Sequence, residues 1–325
     1  NDIWHQTIQW HSYLITLIML LLMFYMPVPK TTEFTNQPTG FWNLSTGSKI
    51  AYYKYGQNTT QKYPFVFIHG GPGAPVLGKE HFSDELASIG FSVFQYDQLG
   101  CGKSSRLKKV KDYTLERQID DLESIREKIG TEKINIICHS FGGSLSSNYI
   151  KKYPNRVSQI VFISPGPICS SDHSLPALTK AGSIDQRKIL FKNKRFLLSQ
   201  LISSFFPPQG LFVMMSEKKL DDIFINFHDG LNMMPGSGSF YNTKGAGFGF
   251  WANLMTGKNM EKIECNYDAL KKFDGMCLVV KGQFDYISFD VTAQFRDLIP
   301  NSVMITVDGM GHSVDQSHQM EIWKN

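Results

Sequence analysis

Apolar and polar positions along the chain form blocks that predict strands and helices in alternation. Short, continuous apolar runs that end at glycine, PFVFIHG at 64–70 and FSVFQYDQLG at 91–100, are typical of buried strands. The segment TLERQIDDLESIREKIG at 114–130 places apolar residues at every third or fourth position, which predicts an amphipathic helix that ends at Gly130. The block SKIAYYKYG at 48–56 alternates as an exposed edge strand does.

The same alternation continues through the next part of the chain. INIIC at 134–138 predicts a buried strand, GGSLSSNYIKKYP at 142–154 a helix, and VSQIVFISP at 157–165 another strand. Strands that alternate with helices favour a mostly parallel sheet with helices on both faces, an α/β fold. Strand, helix and strand resume at 276–282, 290–299 and 302–309.

Between these parts the alternation is lost. Residues 167–264 carry long helical patterns and the glycine-aromatic stretch GAGFGFWANLMTG, which indicates an inserted, mostly helical cap. We therefore expect one core domain in two parts, 40–166 and 265–325, interrupted by this insertion.

The apolar run YLITLIMLLLMFYM at 13–26 differs from the rest of the chain. It is shorter than the roughly 20 residues that span a bilayer, and it fits a signal-peptide core or a short membrane anchor. No small-residue cleavage site follows it, which favours an uncleaved anchor, although a helix packed on the domain is an alternative. Residues 1–30 are set apart on this basis. We expect a membrane-anchored, secreted or periplasmic protein, with the side of the membrane open because only Lys30 flanks the run closely.

Composition narrows the classes of partner. The chain has 325 residues, 42% hydrophobic and 19% charged, enough for one large core with an inserted subdomain. Its net charge of +4 is spread along the sequence, which argues against a nucleic-acid partner. The five cysteines are odd in number and contain no C-x-x-C pair, so neither a disulfide framework nor a metal site is expected.

Three residues in separate parts of the chain carry the candidate chemistry. A serine hydroxyl becomes nucleophilic when an imidazole accepts its proton and a carboxylate orients that imidazole. Ser140, Asp285 and His312 each follow a predicted strand, and the carboxyl ends of parallel strands meet at one edge of a sheet. Asp274 and Asp290 are alternatives for the acid. A structural serine and a core histidine are the alternatives for the other two.

The stretch NIICHSFGG at 135–143 is close to the G-x-S-x-G nucleophile turn, with Cys138 in place of the first glycine. Cysteine is small and tolerates burial, so we expect the turn to survive and the thiol to point away from Ser140. Acyl transfer also needs donors for an oxyanion. We assign these to the backbone N–H groups of Phe141 and of Gly71. Flanking polar residues are expected to have structural roles: His69, His139, Asp97 and Cys101.

Five motifs in order resemble one known family. They are HGGPG at 69–73, YDQLGCGKS at 96–104, HSFGG at 139–143, GQFD at 282–285 and GMGHS at 309–313. Together they resemble the prolyl aminopeptidase (proline iminopeptidase) family of α/β-hydrolases. The resemblance implies the α/β-hydrolase fold and a triad of Ser140, Asp285 and His312. It also implies release of an N-terminal residue, usually proline, from peptides, with no metal or organic cofactor.

The family holds the free α-ammonium group of its substrate with glutamates on the cap side. Glu217 is the possible counterpart here, with Asp221 and Asp222 as alternatives. Cap aromatics, Phe248, Phe250 and Trp251, either line a substrate pocket or pack the core of the cap. Three functions follow: an aminopeptidase, an esterase or amidase acting on small acyl substrates, and a catalytically silent binding protein on the same fold.

Overall fold

The structure is a computed structural model that describes two large parts of the chain. It describes residues 36–57, 63–169, 246–314 and 316–324, together with residues 10, 11, 13, 14, 17, 18, 32, 33, 180, 181, 184, 185, 221, 243 and 244. Both core parts predicted at 40–166 and 265–325 fall mainly within these ranges. The predicted cap, 167–264, lies mostly outside the described residues, and so does most of the apolar run at 13–26. Among the described residues, no helix has both the length and the apolarity needed to cross a bilayer.

A sheet of eight strands forms the centre of the described part of the chain. Its strands are β1 (Gly40–Asn43), β2 (Lys49–Tyr55), β3 (Phe65–Ile68), β4 (Val93–Tyr96), β5 (Ile134–His139), β6 (Val157–Ile163), β7 (Met276–Gly282) and β8 (Ser302–Val307). The spatial order is β8-β7-β6-β5-β3-β4-β2-β1. The pairings of β2 with β1 and with β4 are antiparallel, and the other pairings are parallel.

Helices connect the parallel strands and cover the sheet. They are α1 (Phe82–Ser88), α2 (Leu115–Ile129), α3 (Phe141–Lys152), α4 (Phe250–Met260), α5 (Asp268–Lys271), α6 (Phe289–Leu298) and α7 (Gln316–Lys324), with a 3₁₀ turn at Val110–Asp112. Two further pairs of two-residue strands lie outside the main sheet. Thr32–Glu33 pairs with Thr243–Lys244, and Lys180–Ala181 pairs with Ile184–Asp185.

The sequence pattern explains why α2 and the central strands form where they do. Thr114 caps α2 by accepting a hydrogen bond from the Arg117 N–H at 3.1 Å, and Gly130 ends the helix with φ 77°. On β5, Ile136 and Cys138 belong to one apolar cluster, whereas Ile137 belongs to a second cluster. Alternate residues of the strand therefore face opposite sides of the sheet, and both faces are buried, as the apolar runs predict.

These observations confirm the predicted α/β-hydrolase type of sheet and correct some details. SKIAYYKYG forms β2, but the edge of the sheet is β1, which the sequence pattern did not predict. The short helix α1 was also not predicted. The cysteine pattern predicted no disulfide framework, and it did not reveal the disulfide that Cys169 and Cys265 form. The cysteine count hid this bond, since the other three cysteines, Cys101, Cys138 and Cys277, are free and buried.

Candidate active site

Ser140 lies in a tight turn between β5 and α3. Its backbone has φ 54° and ψ −121°, a conformation that residues with a side chain rarely adopt. Such a conformation costs on the order of 1–3 kcal/mol and persists only where the surroundings enforce it. They do so here, because a Cβ atom at Gly142 would lie 2.2 Å from the Ile68 carbonyl oxygen. The turn thus places Ser140 directly after the carboxyl end of β5.

His312 links Ser140 to Asp285. The distance from His312 Nε2 to Ser140 Oγ is 2.8 Å, and from His312 Nδ1 to Asp285 Oδ1 it is 2.7 Å. Both His312 and Asp285 are buried. The structure therefore brings together the three residues that the sequence analysis selected, as a continuous relay from hydroxyl to imidazole to carboxylate. This is the arrangement that allows an imidazole to take a proton from a serine.

Two neighbouring loops hold the acid and the imidazole in place. Strands β7 and β8 run parallel in register, so the loops that follow them emerge side by side. The Phe284 N–H donates to the Met310 carbonyl at 2.8 Å. A Cβ atom at Gly282 would lie 2.3 Å from the Gly311 carbonyl oxygen, so the two loops are in close contact.

The Asp285 carboxylate accepts hydrogen bonds on both oxygens. Oδ1 accepts from the Ile287 N–H at 3.0 Å as well as from His312, and Oδ2 accepts from the Lys281 ammonium at 2.8 Å. Burial would raise the pKa of Asp285, but the adjacent His312 and Lys281 outweigh it and lower the pKa to about 2. The carboxylate is therefore ionised throughout the neutral range.

Two aromatic side chains pack against the His312 ring. The Tyr286 ring centroid lies 4.1 Å from that of His312, and the His139 ring centroid lies 4.8 Å from it. His139 Nε2 is 2.7 Å from the His312 carbonyl oxygen, so it donates its proton there. Burial lowers the pKa of His139 to about 3, which keeps its ring neutral. Burial and the Asp285 charge raise the pKa of Tyr286, whereas a side-chain hydrogen bond with Ser140 lowers it.

The predicted oxyanion donors lie on two sides of Ser140. Phe141 is the first residue of α3, and the first N–H groups of a helix have no acceptor within it. Gly71 belongs to the loop after β3 and has φ 120°, which glycine adopts without strain. This loop approaches the nucleophile closely, because a Cβ atom at the neighbouring Gly70 would lie 2.9 Å from Ser140 Cβ.

The loop after β3 is held from outside by the glycine-aromatic segment 246–253. The Gly249 N–H donates to the Gly73 carbonyl at 2.8 Å, and Asn253 Nδ2 donates to the Pro72 carbonyl at 2.8 Å. Both acceptors follow Gly71 directly in the chain. The contact therefore fixes the backbone that carries the second oxyanion donor.

Four polar residues near the site have internal partners. Cys138 is fully buried, its thiol donates to the Val161 carbonyl at 3.3 Å, and burial raises its pKa.

His69 Nε2 accepts from the Gln98 N–H at 3.0 Å. Asp97 accepts from the N–H groups of Val76 and Lys103, each at 2.8 Å, and Cys101 Sγ donates to the Gln98 carbonyl at 3.2 Å. These contacts tie the turn after β4 to the loop after β3.

The structure describes only some of the residues predicted to bind substrate. Glu217 and Asp222 lie outside the described residues. Asp221 is engaged within the protein, since its Oδ2 lies 3.1 Å from Arg106 Nη2 and its Oδ1 accepts from the Phe250 N–H at 2.9 Å. Trp251 has 1% of its surface exposed and belongs to the main apolar cluster, which corresponds to the alternative of core packing.

Asp285, and neither alternative acid, is the carboxylate that bonds His312. Asp274 is exposed just before β7 begins, and Asp290 is exposed in the first turn of α6. Three residues that contact the relay were not assigned a role there by the sequence analysis: Lys281, Tyr286 and the neighbouring Ile287. The only signal for Lys281 was a charged residue within the otherwise apolar run MCLVVKG.

Comparisons with known proteins agree with the fold. A family model described as the alpha/beta hydrolase fold matches residues 63–210. Among solved structures, an esterase from Exiguobacterium antarcticum has a TM-score of 0.59 at 14% identity and covers 88% of this chain and 96% of its own. A probable hydrolytic enzyme from Pseudomonas aeruginosa PAO1 has a TM-score of 0.59 at 19% identity, and the match covers 91% of this chain and 96% of that enzyme. Identities this low show the fold alone.

Proteins of two differently named kinds are similar to this chain in sequence, proline iminopeptidases and an acyltransferase. A proline iminopeptidase of Heyndrickxia coagulans is 32% identical over 123 residues, 37% of this chain and 41% of the relative. A proline iminopeptidase of Saccharolobus solfataricus is 37% identical over 106 residues, which is 31% of this chain and 33% of the relative. A Homo sapiens protein named 1-acylglycerol-3-phosphate O-acyltransferase ABHD5 is 33% identical over 124 residues, which is 38% of this chain and 35% of the relative. The chain thus spans about two fifths or less of the length of these relatives.

Proposed function

We propose that this chain, an α/β-hydrolase by fold and similar in sequence to the proline iminopeptidases, is a serine hydrolase that acts through Ser140. The observation that carries the proposal is the hydrogen-bonded relay from Ser140 through His312 to Asp285, built on a turn with positive φ. Few structural roles need a serine in that conformation in contact with a buried imidazole and carboxylate.

The chemistry follows from these positions. Ser140 Oγ attacks the carbonyl carbon of the substrate while His312 Nε2 takes the hydroxyl proton. The carbonyl oxygen becomes an oxyanion, which the N–H groups of Phe141 and Gly71 stabilise. The tetrahedral species collapses to an acyl-enzyme as His312 returns its proton to the leaving amine or alcohol. Water, deprotonated by His312, then attacks the ester, and the acid leaves as His312 returns that proton to Ser140 Oγ.

Within this chemistry we propose an aminopeptidase that releases N-terminal proline or a similar apolar residue. The motifs HGGPG, YDQLGCGKS and HSFGG and the similarity to named proline iminopeptidases support it. Such an enzyme must bind a free ammonium group, and a charge buried without a partner is costly. Glu217 remains the residue predicted to supply the carboxylate.

An esterase or amidase acting on small acyl substrates is the second candidate. Asp221, one alternative to Glu217 for holding an ammonium group, already contacts Arg106 and the Phe250 N–H. A carboxylate committed to an internal ion pair is a poor partner for a substrate cation. The sequence similarity to a protein named as an acyltransferase points the same way.

The rate of cleavage of free and N-acetylated proline anilide, beside short acyl esters, separates the two candidates. For an aminopeptidase, acetylation should lower kcat/KM about ten- to a hundredfold, the effect of losing a charge-assisted contact of roughly 1.5–3 kcal/mol. Glu217→Gln should remove the same preference, whereas Glu261→Gln, an exposed control, should not. Equal cleavage of free and blocked anilides would favour the esterase or amidase.

A further inference from the structure

Lys281 is a buried cation in direct contact with the acid of the relay. Its side chain is 6% exposed and that of Asp285 is fully buried. The ammonium nitrogen lies 2.8 Å from Asp285 Oδ2 and 3.4 Å from the Asp285 carbonyl oxygen, and it also donates to the Ile287 carbonyl. Three acceptors match the three protons of an ammonium group. Lys281 therefore donates both to the Asp285 carboxylate and to the backbone of the loop that carries Asp285.

Stability alone gives little reason for a lysine at this place. The cost of removing two charges from water often equals or exceeds their mutual attraction, so an apolar pair would serve the core as well. The orientation of the carboxylate gives a better reason. Ile287 and His312 occupy Oδ1, and Lys281 occupies Oδ2, so the carboxylate cannot rotate without losing a partner.

Lys281 also changes the charge balance of the relay. Without it, a protonated His312 and the Asp285 carboxylate would form a neutral pair. With it, the carboxylate is already paired, and protonation of His312 leaves a net positive charge in a buried site. Among the described residues, the other titratable groups that face His312 are Ser140, His139 and Tyr286, and His69 lies next to His139. His69, His139 and Tyr286 are neutral near pH 7, so they do not cancel this charge.

We propose that Lys281 is a positioning residue that fixes the Asp285 carboxylate against His312 and, through its positive charge, disfavours protonation of the His312 imidazole. The proposal rests on the proposed function of Ser140, His312 and Asp285. It deepens that function by predicting a serine hydrolase whose activity extends further toward acid than an unassisted relay would allow.

The pH dependence of kcat/KM for Lys281 variants tests this proposal. Lys281→Gln keeps a hydrogen-bond donor and removes the charge, whereas Lys281→Arg keeps the charge with altered geometry. We expect the acidic limb of the Gln variant to move up by on the order of one pH unit, because a unit charge within several ångströms acts at that scale. The Arg variant should keep the parental limb even where its kcat is lower. Lys152→Met, which breaks an exposed pair with Asp120, is the control.

Titration of the His312 ring by nuclear magnetic resonance gives a second readout that needs no turnover. Its signals should titrate at higher pH in Lys281→Gln than in the parent or in Lys281→Arg. If the limb and the ring titration of Lys281→Gln match the parent, the proposed role is overturned and Lys281 is merely structural. Failure of the proposed function looks different, because then Ser140→Ala retains the reactivity of the parent whatever residue 281 is.

Discussion

His69 shows how one buried side chain couples acidity to the candidate site. Its Nε2 accepts from the Gln98 N–H at 3.0 Å, so the proton lies on Nδ1, which donates to the Gly70 carbonyl at 2.9 Å. A second proton on Nε2 would face the Gln98 N–H directly. Burial lowers the pKa of His69 to about 4, although the hydrogen bond to Gly70 opposes this. Protonation of His69 would therefore disturb the loop next to Ser140.

We predict that titration of His69 lowers the free energy of unfolding as the pH falls from about 6.5 to about 4. In that window the unfolded chain, with an ordinary histidine pKa near 6.5, binds more protons than the folded one. One such group contributes up to about 1.4 kcal/mol per pH unit. Urea unfolding at pH 7 and pH 5 should show a smaller decrease for His69→Gln than for the parent. His81→Gln, at an exposed histidine, should match the parent; equal decreases in all three would contradict the prediction.

Single residues also mark the limit of what the sequence predicted. Ser140, Asp285 and His312 could be selected because each follows a strong strand pattern. Lys281 and Tyr286 could not be given a role, because it depends on which atoms meet after β7 turns into its loop. Trp251 had two open interpretations, and only its burial distinguishes them.

At the level of elements, the segment 246–253 links the insertion to the core. A Cβ atom at Gly73 would lie 2.4 Å from the Gly249 carbonyl oxygen, and one at Gly249 would lie 2.1 Å from the Gly100 carbonyl oxygen. Three glycines therefore allow backbone to meet backbone at this point. Asn253 completes the contact through the Pro72 carbonyl.

We predict that Asn253→Ala lowers kcat more than it changes KM. Loss of the bond to Pro72 loosens the loop that carries Gly71, and loss of one oxyanion donor outright costs about 10²–10³-fold, so a partial loss should cost on the order of tenfold. The affinity for a trifluoromethyl ketone, which mimics the tetrahedral species, should fall in parallel. Asn155→Ala, at an exposed residue, is the control. A higher KM with unchanged kcat would instead place Asn253 in substrate binding.

The elements with a continuous apolar run or a clear helical period were predictable, whereas β1 and α1 were not. The helix α2 and the strands β5, β6, β7 and β8 agree with their patterns. The strands β3 and β4 have four residues, as β1 has, but they lie in largely apolar runs, which the edge strand β1 and the seven-residue helix α1 lack. Their positions are set by pairing with β2 and by packing on the sheet, which the local sequence does not encode.

At the level of the whole molecule, the Cys169–Cys265 disulfide joins the two boundaries of the predicted insertion, 167–264. The bond closes a separation of 96 residues, with Cys169 after β6 and Cys265 before α5. The sequence could not reveal this pair, because the sulfur atoms meet only once β6 and β7 lie side by side. Because disulfides persist mainly in oxidising compartments, we propose that the protein is secreted, periplasmic or membrane-anchored.

We predict that replacing Cys169 and Cys265 together by alanine lowers the free energy of unfolding by about 4 kcal/mol, because the bond restricts the unfolded chain. Urea unfolding with and without reductant measures this effect. Cys277→Ala, at a free cysteine, should leave the response to reductant unchanged. Thiol titration of the denatured, unreduced protein should find three free thiols of the five cysteines. Five thiols before reduction would contradict the bond.

Modification of Ser140 by a fluorophosphonate tests the central claim most directly. We expect one adduct, mapped by peptide mass spectrometry to the peptide that holds Ser140. We also expect Ser140→Ala to lose both the adduct and turnover, by on the order of 10⁶-fold, while remaining folded. Ser88→Ala, at an exposed serine, should react as the parent does. An adduct on another residue, or turnover by Ser140→Ala within tenfold of the parent, would show that Ser140 is not the nucleophile.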